Sequence, residues 1–92
     1  MKYVREQEMR SALALKAIAH PTRCWIIKEL TKKEHCVGEF VRAVGVEFAT
    51  MSRHLAKLKQ AGFVSSRKNG REIRYFLNRK AIEDLFTSLL NS

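Results

Sequence analysis

Apolar residues recur every three to four positions through most of the chain and every second position over a short stretch of its later third. That change of period divides the chain into elements. Met9, Leu13 and Ala17 share a face at helical spacing and predict a first helix from about Glu6 to Ala19. His20-Pro21 interrupts it, and proline suits the first position of a helix better than its interior, so a second helix is expected from Pro21 to about Leu30. Cys24, Ile27 and Leu30 are read as its inner face. Cys36 with Glu39 three residues on imitates a capping box and predicts a short third helix carrying Phe40, Val41 and Val44. Gly45 then closes that helix in a left-handed conformation, and another helix starts at about Phe48 with Met51, Leu55 and Leu58 on one side. Gly62 ends it.

Beyond Gly62 the period is two. Val64–Lys68 and Arg71–Leu77 flank Asn69-Gly70, a pair suited to a two-residue type I′ hairpin turn, with Ile73, Tyr75 and Leu77 alternating inward. A hairpin following a helix–glycine turn–helix pair is a wing on a helix-turn-helix. The last segment places Ile82, Leu85, Phe86, Leu89 and Leu90 at the positions of one helical stripe. The expected fold is therefore mainly α with a β-hairpin wing, a winged helix-turn-helix occupying residues 1–92 as a single domain. No Pro-rich or Ser-rich linker and no long repeat divides it.

Charge adds a partner to this picture. Eighteen Lys and Arg against nine Asp and Glu leave a formal +9, and residues 47–80 alone hold nine basic and two acidic side chains, or +7. Such an excess points to a polyanion, nucleic acid ahead of an anionic membrane. No uncharged stretch approaches the ~20 apolar residues of a membrane span, and charges in the first twenty residues interrupt any secretory core. A cytoplasmic protein with no membrane partner is expected. Two cysteines make neither a disulfide framework nor a four-thiolate zinc site.

The segments HPTRCWIIKEL, CVGEFVRAVGV, TMSRHLAKLKQAGFV and RKNGREIRYFLN, in this order, resemble the ArsR/SmtB family of dimeric bacterial winged-helix repressors over roughly residues 10 to 80. The resemblance implies a homodimer joined through the terminal helices, a double-stranded DNA operator read by the second helix of the motif, and release of DNA by an inducer. The family's metal sites are incomplete here. The third-helix box reads Glu34 to Phe40 with Cys36 as its one thiol, and Ile82 to Ser92 holds no histidine or cysteine. A metal, metalloid or oxidant inducer acting at an altered thiol site therefore stays open beside an inducer of another kind.

The candidate DNA contacts are Thr50, Ser52, Arg53, His54 and Lys57 on the second motif helix and Arg67, Lys68, Arg71 and Arg74 on the wing. Leu13, Leu85, Phe86, Leu89 and Leu90 are the candidate dimer contacts, since a stripe this complete exposed on a monomer would mark an interaction site. Cys36 and Cys24 are the candidate sensing thiols. Cys24 is read as a buried structural thiol from its place beside Ile27 and Leu30, whereas the helix start and nearby Lys32 and Lys33 favour a reactive or ligating Cys36. His20 is assigned to the helix junction. The positions commonly filled by Ser and Gln at this helix entry in the family are Glu47 and Phe48 here, with Ala49 following. Phe48 is read as packing beside Met51; were it exposed, Phe48 and Ala49 would meet thymine methyls. A protein-binding winged helix and an unspecific nucleic-acid binder are the competing functions, and the positive helix–wing segment argues against the former. An enzyme is not expected, because no acid/base or nucleophile pair stands out.

Overall fold

The computed structural model of the chain describes residues 5–91. In order these form α1 (Glu6–Ile18), α2 (Pro21–Leu30), β1 (His35–Cys36), α3 (Val37–Val44), α4 (Phe48–Gln60), β2 (Val64–Asn69), β3 (Glu72–Leu77) and α5 (Arg79–Leu90). Ser92, the last residue of the expected terminal helix segment, lies outside the described residues. None of the helices among the described residues is long and apolar enough to cross a membrane.

Local chemistry sets the helix ends. His20 is extended, and its Nδ1 accepts the Thr22 N–H at 3.1 Å, which caps α2 while Pro21 fills the first helical position. At α3 the Glu39 carboxylate accepts the Cys36 N–H at 2.9 Å. The far end of α3 closes on Gly45 at φ +79°, where the Gly45 N–H donates to the Val41 carbonyl at 2.8 Å and the chain turns into α4. The core that results is Ile26 and Leu30 of α2, Val37 and Phe40 of α3, Met51, Leu55 and Leu58 of α4, then Phe63, Val64 and Leu85. α1 buries no residue completely and leans Ala14, Ala17 and Ile18 on this cluster.

Three departures from the sequence reading concern the sheet. It has three strands in the order β1-β3-β2, all antiparallel, because His35 and Cys36 pair with Tyr75 and Arg74. The hairpin turn is Gly70-Arg71 rather than Asn69-Gly70, since Asn69 is paired with Glu72. Gly70 has φ +66° and no non-glycine residue among those described has positive φ, which gives glycine at the first turn position followed by an ordinary residue, a type II′ turn instead of type I′. Tyr75 and Leu77 pack on the core, but Ile73 is 48% exposed, because the hairpin runs out beyond the helices it covers.

Two side-chain assignments change as well. Cys24 is exposed, and its thiol donates to the Ile18 carbonyl at 3.3 Å. With Leu30 anchored in the core, Ile26 lies about 40° round the helix from it at ~100° per residue, while Cys24 lies about 120° away. Leu85, read as a dimer contact, is only 7% exposed and belongs to the protomer's own core, four residues before the half-exposed Leu89.

Candidate nucleic-acid interface

On α4 the buried triplet Met51, Leu55 and Leu58 fixes which side faces out. The opposite stripe is Ala49, Arg53, Ala56 and Gln60, all exposed, with Ser52 and Thr50 half-buried at its borders. Three of those four side chains are uncharged, two of them alanines, so backbone approach to a partner is unobstructed and Arg53 is the one cation on the stripe. Phe48 is not packed on Met51. It is 62% exposed in the first turn, since Met51 is fully buried in a core that reaches it from within the domain and leaves the helix start uncovered.

The other α4 candidates point elsewhere. Lys57 lines an open groove of about 820 Å³ between α1 and α4 together with Arg10, Lys16, Arg23 and, from the end of the outward stripe, Gln60. His54 is half-buried and turned toward the α1–α2 corner, where its Nδ1 accepts the Arg23 Nε–H at 3.1 Å and its ring centroid lies 4.4 Å from that of His20. Arg23 also donates to the Ala17 carbonyl at 3.1 Å. Burial, first of all, and then the charges of His20, Arg23 and Arg53 push the His54 pKa below its ordinary value. His54 thus spends its Nδ1 on Arg23, because the helical position three residues after Met51 faces α2.

The wing divides into a free tip and a paired base. Lys68 and Arg71 are exposed at the tip and make no ion pair among the described residues. Arg67 and Arg74 sit directly opposite each other on neighbouring strands, two like charges that would repel. Carboxylates hold them: Arg67 donates to Glu34 at 2.6 Å, and Arg74 lies 3.7 Å from Glu34, 3.8 Å from Glu39 and 3.1 Å from Glu72. The Arg67 guanidinium also lies 5.4 Å above the Phe76 ring. Lys59 joins α4 to the wing by donating to the Ser66 hydroxyl at 2.7 Å. At the wing's foot Asn78 accepts from the Ser65 hydroxyl at 3.0 Å and donates to the Gly62 carbonyl at 2.9 Å.

Glu34 and Glu39 were not among the residues the sequence singled out as partners of the wing. The signal lies in the opposed arginines, but it becomes visible only once β1, two residues long, is known to lie beside β3. Cys36 sits there too, half-buried and paired in register with Arg74. An added Cβ at Gly38 would lie 3.3 Å from Arg42 Nη1 and 4.0 Å from Cys36 Sγ, so the thiol and a guanidinium flank that glycine. Glu39 accepts the Cys36 N–H first of all, and its pKa is lowered to about 2. Among the described residues no group of three or more His, Cys, Asp and Glu side chains is arranged to hold a metal ion.

A glycine-closed helix pair, an outward α4 stripe and a three-stranded wing beside it define a winged helix-turn-helix. The model of the bacterial regulatory protein family arsR matches residues 20–66, and the chain belongs to that family. It is 41% identical over 63 residues to the HTH-type transcriptional repressor SmtB of Mycobacterium tuberculosis, an alignment covering 68% of this chain and 47% of that protein. It is 32% identical over 75 residues to the biofilm growth-associated repressor of Xylella fastidiosa, covering 82% of this chain and 66% of the relative. The chain thus spans about half to two thirds of the length of these relatives. The solved structure of HlyU from Vibrio cholerae superposes with a TM-score of 0.78 at 26% identity, over 91% of this chain and 92% of that one.

Proposed function

We propose that the chain is a sequence-specific DNA-binding transcriptional regulator, a repressor that acts as a homodimer on an inverted repeat. The observation that carries the reading is the exposed Ala49–Arg53–Ala56–Gln60 stripe of α4 set beside a wing whose tip presents Lys68 and Arg71. A helix with small residues and one arginine outward is suited to lie in a major groove, while the tip cations neutralise flanking phosphates. The named repressors to which the chain is similar support the same reading. The contacts we assign are Arg53, with Ser52 and Thr50 beside it, on the base-reading helix, and Lys68 and Arg71 on the backbone. Lys57 belongs to the flank facing α1.

Two copies related by a twofold axis would place their α4 helices in successive major grooves, which requires half-sites about 10–10.5 base pairs apart or a multiple of that. The test is selection from a random duplex pool, followed by binding of the enriched and scrambled duplexes at several salt concentrations. An enriched palindrome is expected. Arg53→Ala should cost about 1–3 kcal/mol on that palindrome and relax one position of it, whereas Arg71→Ala should weaken both duplexes alike and flatten the salt dependence. Equal affinity for enriched and scrambled DNA at every salt concentration overturns the reading in favour of an unspecific binder.

A further inference from the structure

We propose that Phe48 reads the 5-methyl group of thymine in each DNA half-site, an assignment that rests on the DNA-binding reading above. Phe48 stands in the first turn of α4 and, at 62% exposure, is the most exposed large apolar side chain of the helix-turn-helix. The Cα–Cβ bonds of an α-helix tilt toward its N-terminus, so a first-turn side chain projects ahead of the helix. That is the end of a recognition helix that meets base edges. Ala49 beside it is exposed and small, which leaves the ring free to approach.

The surroundings of Phe48 select a base edge over a phosphate. Glu47, the residue preceding α4, is exposed, and its carboxylate repels the backbone of DNA at this spot while the cations assigned to phosphate lie elsewhere, at Lys68 and Arg71 of the wing tip. A phenyl ring offers no conventional hydrogen-bond donor or acceptor. Among the major-groove edges of the four bases, the apolar group available to it is the C5 methyl of thymine. A protein partner fits less well: a stable interface takes about 800 Å² from each side, and one aromatic ring of at most ~200 Å² bordered by an exposed carboxylate supplies a small part of that.

Deoxyuridine differs from thymidine by this methyl alone, so the experiment replaces each thymine of the selected duplex by deoxyuridine, one position at a time. Binding is measured for the wild type, Phe48→Ala, Phe48→Leu and Arg53→Ala, with circular dichroism melts confirming that the exposed substitutions leave the fold intact. One or two positions per half-site should lose about fourfold in wild-type affinity, the value of burying one methyl. Phe48→Ala should bind thymine and deoxyuridine duplexes equally, Phe48→Leu should keep the preference in part, and Arg53→Ala should bind more weakly with the preference intact. A wild type indifferent to every deoxyuridine, or a Phe48→Ala variant sensitive at the same positions, overturns the assignment while leaving the regulator reading in place. A pool from which no sequence is enriched overturns both.

Discussion

His54 joins α4 to the α1–α2 corner through a hydrogen bond that depends on its protonation. Arg23 can donate to Nδ1 at 3.1 Å only while that nitrogen carries no proton. A protonated ring would instead face the Arg23 guanidinium from α2, the His20 ring from the junction and Arg53 from its own helix. The folded pKa is lowered, so the unfolded chain takes up this proton first as pH falls. The stabilisation is complete above the ordinary value near 6.5 and is lost as pH falls through that value toward the folded one. Glu39, with a folded pKa of about 2, loses its contribution only below about pH 4.5 and leaves this window clear. Urea unfolding of the wild type should therefore show stability declining from pH 7.5 to pH 5, and His54→Gln, which can still accept from Arg23 but does not titrate, should flatten the profile. An equally steep decline in the variant would assign it to another group.

At the scale of elements, β1 matters more than its two residues suggest. Pairing His35 and Cys36 with β3 brings Glu34 against the opposed Arg67 and Arg74, so the base of the wing is close to neutral and its free positive charge is confined to Lys68 and Arg71. Glu34→Gln should release Arg67 toward phosphate while Glu72 and Glu39 still hold Arg74, tightening binding at low salt and steepening the plot of log affinity against log salt by about one unit. The same substitution in an Arg67→Ala, Arg74→Ala background should have little effect; an undiminished gain there would mean that Glu34 acts by long-range charge alone. The helices and the hairpin were legible in the sequence because each repeats its period over eight or more residues or carries a capping residue such as His20-Pro21 or Gly45. What was not legible was local in a different way. A two-residue strand has no period, Asn69-Gly70 suits two adjacent turn registers, and the choice between Cys24 and Ile26 as the inward residue depends on a rotation that only contact with α3 and α4 determines. The site divides likewise: Arg53 could be placed outward from Met51, Leu55 and Leu58, but the acids that occupy Arg67 and Arg74 come from a different part of the chain.

The whole molecule is long for its size, 49 × 22 × 18 Å with a radius of gyration of 14.5 Å, against about 12 Å for a compact chain of this length. Elongation limits the core, and a domain this small buries little surface to begin with. The apolar groups left outside are concentrated on the two terminal helices, which lie together through the Gln7–Ser88 hydrogen bond of 2.7 Å: Met9, Leu13 and Leu15 on α1, and Phe86, Leu89 and Leu90 on α5. We propose that the exposed apolar side chains of these two helices form the dimer interface with a second copy. Leu85 separates this proposal from the internal packing it resembles in sequence. Leu85→Glu should unfold the chain, because it places a charge in the core, whereas Leu89→Glu, at a position 48% exposed in the protomer, should leave helix content unchanged. If the copies stabilise each other, wild-type melting temperature must rise with protein concentration by mass action. Leu89→Glu should sediment as a 10.7 kDa monomer, melt at a lower temperature that no longer depends on concentration, and bind the palindrome more weakly. A wild type that sediments as a monomer, or a Leu89→Glu variant that remains as dimeric as the wild type, would place the interface elsewhere or remove it.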